Sequence, residues 1–297
     1  MDRLRLARIA ARVLAIGGVI AGSSREVIPV QVLRHGDEVV LSADLHVHGF
    51  PGDGTLPPWD LSREAARRGL DAIALTSHNN QLAWWLAGVM PSPAGSVLVI
   101  QGQELTAAGY HMASIGTDGI VDWRQSAASA ARAIHARGGI AIAAHPAGRE
   151  LKGFDAAAIA ELDGYEAAHP LIFSFEEGRR DVREFGQRAR ALKPGIAAIG
   201  STDFHFFAPL GFCRTFVFAR ERSASAIIDA IRRGRTVACD AAGEVYGPPE
   251  LTPVVLGACR AVAGSPARDA SSVGRVGAAL LWTGLVAMTL LGASEAR

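Results

Sequence analysis

Apolar runs of strand length recur along the chain at 38–43, 71–77, 96–102, 110–116, 139–144, 164–168, 195–200, 214–219 and 235–239. Between most of them lie segments of helical periodicity, at 60–69, 125–137, 155–162, 175–192 and 223–233. Asp60 and Ser62 offer N-cap chemistry to the first helix, and Gly138 and Gly234 stand where helices should stop. Buried strands alternating with helices predict an α/β fold with a mainly parallel sheet or a βα barrel. No repeat of fixed period stands out. The proline-rich "YGPPELTP" at 246–253 reads as the exit from this domain.

Both ends depart from the pattern. Val276 to Ser294 carries no charge over 19 residues, near the length that spans a bilayer, so a transmembrane helix is expected within 275–294. At the front, Arg3, Arg5, Arg8 and Arg12 precede the uncharged "VLAIGGVIAGSS". Residues 1–24 therefore resemble a signal peptide or signal anchor, with an ordinary amphipathic helix as the equal alternative. The expected organisation is a terminal segment at 1–24, a catalytic domain at 25–250, a linker at 251–274 and the membrane helix. Arg268 and Arg275 pull the domain inward, but the first segment usually dominates, which favours a membrane-tethered, extracytoplasmic domain.

Charge and cysteines narrow the picture slightly. A formal net charge of +1 over 297 residues gives no electrostatic reason to expect nucleic acid. Cys213, Cys239 and Cys259 are scattered without C-x-x-C spacing, which suggests core cysteines, not a disulfide framework or a zinc–thiolate site.

The candidate chemistry sits at strand ends. In "DLHVHGFPGDG", side-chain alternation puts Asp44, His46 and His48 on one face, with Asp53 close behind. His78 and Asn79 follow the second run, Glu104 follows the third, and His111 opens the next. His145 ends "AIAAH", and Asp203 and His205 end "GSTDFH". Seven of the nine histidines fall at strand edges, and in βα folds the C-terminal strand ends are where sites are built. Imidazoles and carboxylates without thiolates suit zinc, manganese or iron.

The ordered motifs "DLHVHGFPGDG", "LTSHNN", "GQELT", "GYHMASIG", "AAHP" and "GSTDFH" resemble the polymerase and histidinol phosphatase (PHP) family. The wording of the first two is similar to its carbaryl-hydrolase-like branch. The resemblance implies a distorted seven-stranded (β/α)7 barrel over about residues 40–245, holding two or three divalent metal ions. His46, His48, Glu104 and Asp203 would hold one ion. Glu104 would bridge to a second, bound by His111 and His145. Asp53, His78 and His205 would hold a third, weakened because Ser77 stands where the family usually has Asp. Asp44 would orient a histidine from behind.

The activity implied by the resemblance is that of a metal-dependent hydrolase of small-molecule phosphoesters, working through a metal-bridging hydroxide. His145 or His205 could protonate the leaving group if a given metal site stood empty, with Asp203 as a further catalytic candidate. Arg149 or Lys152 could hold a phosphate oxygen, though a solvated loop charge is the simpler reading of both. Glu166 and His169 could line the pocket. A carboxylic or carbamic ester hydrolase with the same site is the alternative, and a non-catalytic metal-binding domain is the third.

Overall fold

The computed structural model describes residues 3–22, 33–89, 97–206, 208–263 and 272–293. Its strands are β1 (Leu33–His35), β2 (Glu38–Val47), β3 (Ala72–Leu75), β4 (Leu98–Thr106), β5 (His111–Ile115), β6 (Ile140–Ala143), β7 (Gly164–Ala168), β8 (Ala197–Gly200), β9 (Arg214–Ala219), β10 (Thr236–Cys239) and β11 (Val245–Tyr246). Ten of them run side by side in the order β11-β10-β9-β2-β3-β4-β5-β6-β7-β8, and β1 hooks onto β2 as a hairpin. β2, β3 and β4 are parallel, as are β6, β7 and β8. Antiparallel β5 separates the two trios, and β9, β10 and β11 return antiparallel beyond β2.

The expected seven-stranded barrel is thus corrected to a nearly closed mixed sheet of ten strands along its path. Six of the ten are the parallel strands, and the other four are the hairpin partner β5 and the antiparallel returns β9, β10 and β11. β9 and β10 look like parallel strands in the sequence because both kinds, when buried throughout, carry continuous apolar runs.

The sheet curls until β8 approaches β9 and β10, and side chains close the gap. Thr215 Oγ1 donates to Gly200 O at 2.8 Å and accepts from Gly200 N at 3.0 Å. Thr236 Oγ1 donates to Ala198 O at 2.9 Å. Position 200 has to be glycine for this approach: a Cβ there would sit 2.3 Å from Arg214 O. Inside, Leu41, Ala43, Ile100, Ile115, Ile199 and Val217 pack into one core cluster with Ile227 and Ile231.

The helices are α1 (Arg3–Gly22), α2 (Pro58–Arg67), α3 (Leu82–Val89), α4 (Ala127–His135), α5 (Ala156–Glu161), α6 (Glu176–Leu192), α7 (Ala224–Arg232), α8 (Thr252–Ala263) and α9 (Ser272–Ala293). Ser126, Asp155 and Ser223 cap α4, α5 and α7 through their side chains. Gly138 and Gly234, at φ 80° and 65°, supply the left-handed stops expected after α4 and α7. α2 differs from expectation: it starts at Pro58 without a side-chain cap, and Asp60 accepts from Arg63 Nη1 at 3.2 Å instead.

Three readings of the C-terminal third change. Residues expected as linker form α8 from Thr252 onward, while 264–271 lie outside the described residues. Cys259 of α8 is disulfide-bonded to Cys239 of β10, so two of the three cysteines are paired. The pair was invisible in the sequence because 20 residues separate its members without a motif. Finally, among the described residues no helix is long and apolar enough to cross a membrane. This overturns the expected transmembrane helix and the membrane-tethered location built on it. α1 begins with Arg3, Arg5, Arg8 and Arg12, and α9 is instead committed to packing on α1. A Cβ at Gly18 would lie 2.3 Å from Leu281 N, and one at Gly284 2.4 Å from Ala15 N.

Cys239 and Cys259 sit in a core cluster with Phe216, Phe218, Leu251 and Val255. Closing a loop of this length stabilises a domain by about 2–4 kcal/mol, so Cys259→Ala should lose that amount in urea unfolding. Reductant should bring the wild-type curve toward that of the variant; coincident curves without reductant would show that the bond stabilises nothing.

Candidate metal centre

Because β2 is extended to Val47, Asp44 and His46 point to one face, and His48 follows just beyond. β4 contributes Glu104 from within the strand, and the segment after β8 contributes Asp203. Their atoms converge. His46 Nε2 and His48 Nε2 are 3.1 Å apart, and lie 3.2 and 3.1 Å from Asp203 Oδ1. Both are 3.4 Å from Glu104 Oε2. The other oxygen, Oε1, is 2.9 Å from His111 Nδ1 and 3.2 Å from His145 Nε2. A third group forms where Asp53 Oδ2 meets His78 Nε2 at 3.2 Å and His205 Nε2 at 3.1 Å, with His48 beside them. All nine residues that the sequence puts forward as ligands therefore lie in three adjoining groups, any of which could hold a metal ion.

The donor set fits a cation better than it fits itself. Glu104 Oε2, Asp203 Oδ1 and His111 Nδ1 are buried without a hydrogen-bond partner. His78 Nδ1 does lie 2.6 Å from Glu104 Oε2, but its hydrogen bond is made with Thr106 Oγ1 at 2.5 Å. Tetrahedral ligands about 2.1 Å from an ion stand about 3.4 Å apart, close to the spacing in the His46–His48–Glu104–Asp203 group.

The charges show the same demand. Burial alone would lower the pKa of His46, yet Asp203, Glu166 and Glu104 raise it well above its usual value. For His48, burial is outweighed by Asp203, Asp53 and Glu104, and its pKa is raised to about 10. Burial pushes Glu104 upward, but His46, His111 and His145 hold it well below the ordinary carboxylate range. The carboxylates thus require positive charge at the histidines, from protons or from a metal ion.

Behind the ligand atoms is a supporting layer. Glu166 is buried; its Oε1 is 2.8 Å from His46 Nδ1, and it accepts from Ser201 Oγ at 2.5 Å. Its Oε2 accepts from His145 N at 2.7 Å. It therefore orients one histidine by the ring and another by the backbone, instead of lining a pocket. Asp53 Oδ1 does the same for His48 Nδ1 at 3.0 Å. Asp44, expected to orient a histidine, touches no ring: it accepts from Thr202 N, Thr202 Oγ1, Gly211 N and, at 3.4 Å, His46 N. It ties the end of β2 to the β8–β9 loop, and burial raises its pKa to about 6.

Ser77, expected to support His78, does not reach it. Its Oγ accepts from Gly49 N at 3.5 Å, and Thr106, the last residue of "GQELT" and given no role there, holds His78. Asn79 Oδ1 accepts from Thr106 N at 2.9 Å, lashing the loop after β3 to β4. Exposed Arg149 donates to Glu150 Oε1 at 2.8 Å, and Lys152 is exposed, so both keep the simpler reading. His169 is buried, 3.5 Å from Asp203 Oδ2. Its Nδ1 accepts from Ile172 N at 3.4 Å, which places the proton on Nε2, facing the cluster.

Asn79, His145 and Asp203 have φ of 52°, 29° and 50°, and no other non-glycine among the described residues is positive. All three stand at the cluster, where the surrounding contacts hold backbone that a free chain would avoid.

Residues 187–236, which include Asp203 and His205, match the model of the PHP-associated family. No curated protein matches the chain. Among solved structures it is similar to a two-domain protein of Bacteroides vulgatus described as containing a predicted PHP-like metal-dependent phosphoesterase. The two share 23% identity over 78% of this chain and 73% of that one, with a TM-score of 0.57, a likeness of fold. A Bifidobacterium adolescentis protein named for metal-dependent phosphoesterases matches at 17% identity, 57% and 90% coverage and a TM-score of 0.44. A Chromobacterium violaceum amidohydrolase matches at 20% identity, 57% and 89% coverage and 0.42.

Two outcomes are expected. Glu166→Gln keeps the shape but removes the charge behind His46, and should weaken metal binding about 10–100-fold with folding intact. Because a protonated ring cannot ligate, affinity should keep rising with pH through neutrality, toward the pKa of about 10 at His48. Calorimetry in buffers of different ionisation enthalpy should show protons released on metal uptake; affinity flat above pH 7 would contradict the assignment.

Proposed function

We propose that this chain is a metal-dependent hydrolase of small-molecule phosphoesters, acting at the cluster centred on Glu104. The observation that carries the reading is the sharing of donors. Glu104 presents Oε2 to His46 and His48 and Oε1 to His111 and His145, so one buried carboxylate serves two groups. Divalent ions held there would supply Lewis acidity, acidifying bound water and polarising a phosphoryl oxygen.

The chain's own residues do the rest. Glu166 and Asp53 fix the tautomers of His46 and His48, so that each Nε2 is free to ligate. Where the metal group it belongs to stands empty, His145 or His205, partly exposed beside Asp203 and Asp53, would pass a proton to a leaving group. Nε2–H of His169 offers a fixed donor toward the same space. None of this requires a side-chain nucleophile.

The likeness to carbaryl-hydrolase-like wording in "DLHVH" and "LTSHN" makes an aryl ester the second substrate class in the same assay. Purified protein should hydrolyse an aryl phosphate when supplied with manganese or zinc, and stop when a chelator is added. Ester turnover alone would shift the reading to the second class, and metal binding without any turnover would make the domain non-catalytic. Glu104→Ala and Asp203→Ala should each lower activity by more than about 100-fold and reduce bound metal. Asp53→Ala, on an exposed loop, should cost less than His46→Ala; full activity in either the Glu104 or the Asp203 variant would sink the reading.

A further inference from the structure

The loop at 49–55 carries Asp53 to three imidazoles, and little in the barrel core holds it. Phe50 N donates to Leu56 O at 2.9 Å, and Thr55 N donates to His205 O at 3.1 Å. Its glycines fold it tightly: a Cβ at Gly54 would lie 2.0 Å from His48 O. Its one large side chain, Phe50, is only partly buried. The Phe50 ring meets Trp282 of α9 edge-on, with centroids 5.5 Å apart and planes at 62°.

Trp282 is not carried on a loose tail. Its neighbour Leu281 is 4% exposed, and the helix backbones of α9 and α1 touch on either side of it, at Gly18 and at Gly284. Arg8 Nη2 of α1 donates to Leu291 O of α9 at 3.1 Å. The two helices form one stiff unit drawn from opposite ends of the sequence, and Trp282 projects from it onto the loop.

We infer that Trp282 is a positioning residue for the third metal group: the helix pair, through Phe50, holds Asp53 against His48, His78 and His205. The inference rests on the metal-binding reading above. Edge-to-face aromatic contacts hold beyond simple burial, and a loop tip whose carboxylate must satisfy three rings needs such a stop. Without it only the bonds at Phe50 and Thr55 hold the loop, and Asp53 drifts from the group that its own chain direction does not fix. The Glu104–His111–His145 group does not use the loop, and the His46–His48–Glu104–Asp203 group draws on it only through Asp53 Oδ1 behind His48.

The test is manganese or zinc titration of the full chain, read by bound metal per protein and by calorimetry. Wild type should bind three equivalents. Trp282→Ala should weaken the weakest equivalent about tenfold and the other two by less, and be rescued by Trp282→Phe. Gly284→Leu, which forces the helices apart, should reproduce the Trp282→Ala result with the barrel melting temperature retained. Unchanged binding in Trp282→Ala, or equal weakening of all equivalents, overturns the inference while leaving the functional reading intact. A wild type that binds two equivalents also overturns it, and one that binds none overturns both.

Discussion

Glu104 is the constraint on which the rest of the site is built. A carboxylate with no solvent exposure is costly unless opposite charge surrounds it. Here the surroundings are His46, His48, His78, His111 and His145, drawn from four separate stretches of chain. Those rings must come within reach of one carboxylate, so β2, β3, β5 and β6 must all present their ends to Glu104 of β4. The mixed sheet achieves this because β5 runs backward: its first residue, His111, pairs with Thr106 at the same end where the parallel strands finish.

The supporting layer repeats the logic farther out. Glu166 is itself buried, and its pKa is held at about 2 because His46, outweighing burial, favours its charged form. Positive and negative groups thus alternate outward from Glu104 through His46 to Glu166 and Ser201. Such a network leaves little room for rearrangement, which suits a site that must receive ions without remodelling.

Much of this was legible in the sequence, and the limits have physical causes. His46, His48, Glu104, His145 and Asp203 were visible because strand periodicity and strand ends announce where side chains point. Roles that depend on distant partners were not. The carboxylate behind His46 lies 120 residues away, and Asp44 turned out to hold backbone 158 and 167 residues along. Thr106 escaped notice because threonine in a strand is ordinary, and Cys239–Cys259 because only the fold brings them together. The terminal segments misled for a different reason: a run without charges is not by that fact apolar enough to cross a membrane, and no helix among the described residues is.

The closure between β8 and β10 has a consequence for dynamics. A wall completed by Thr215 and Thr236 hydroxyls, in place of a continuous backbone ladder, has a seam, and seams are where local unfolding starts at low free energy. Asp203 stands three residues beyond Gly200 on that seam. Bound cations that tether Asp203 to His46 and His48 would act as a rivet across it. In this barrel, amide hydrogens along 197–203 would then exchange with solvent at a rate set by how firmly the centre is loaded.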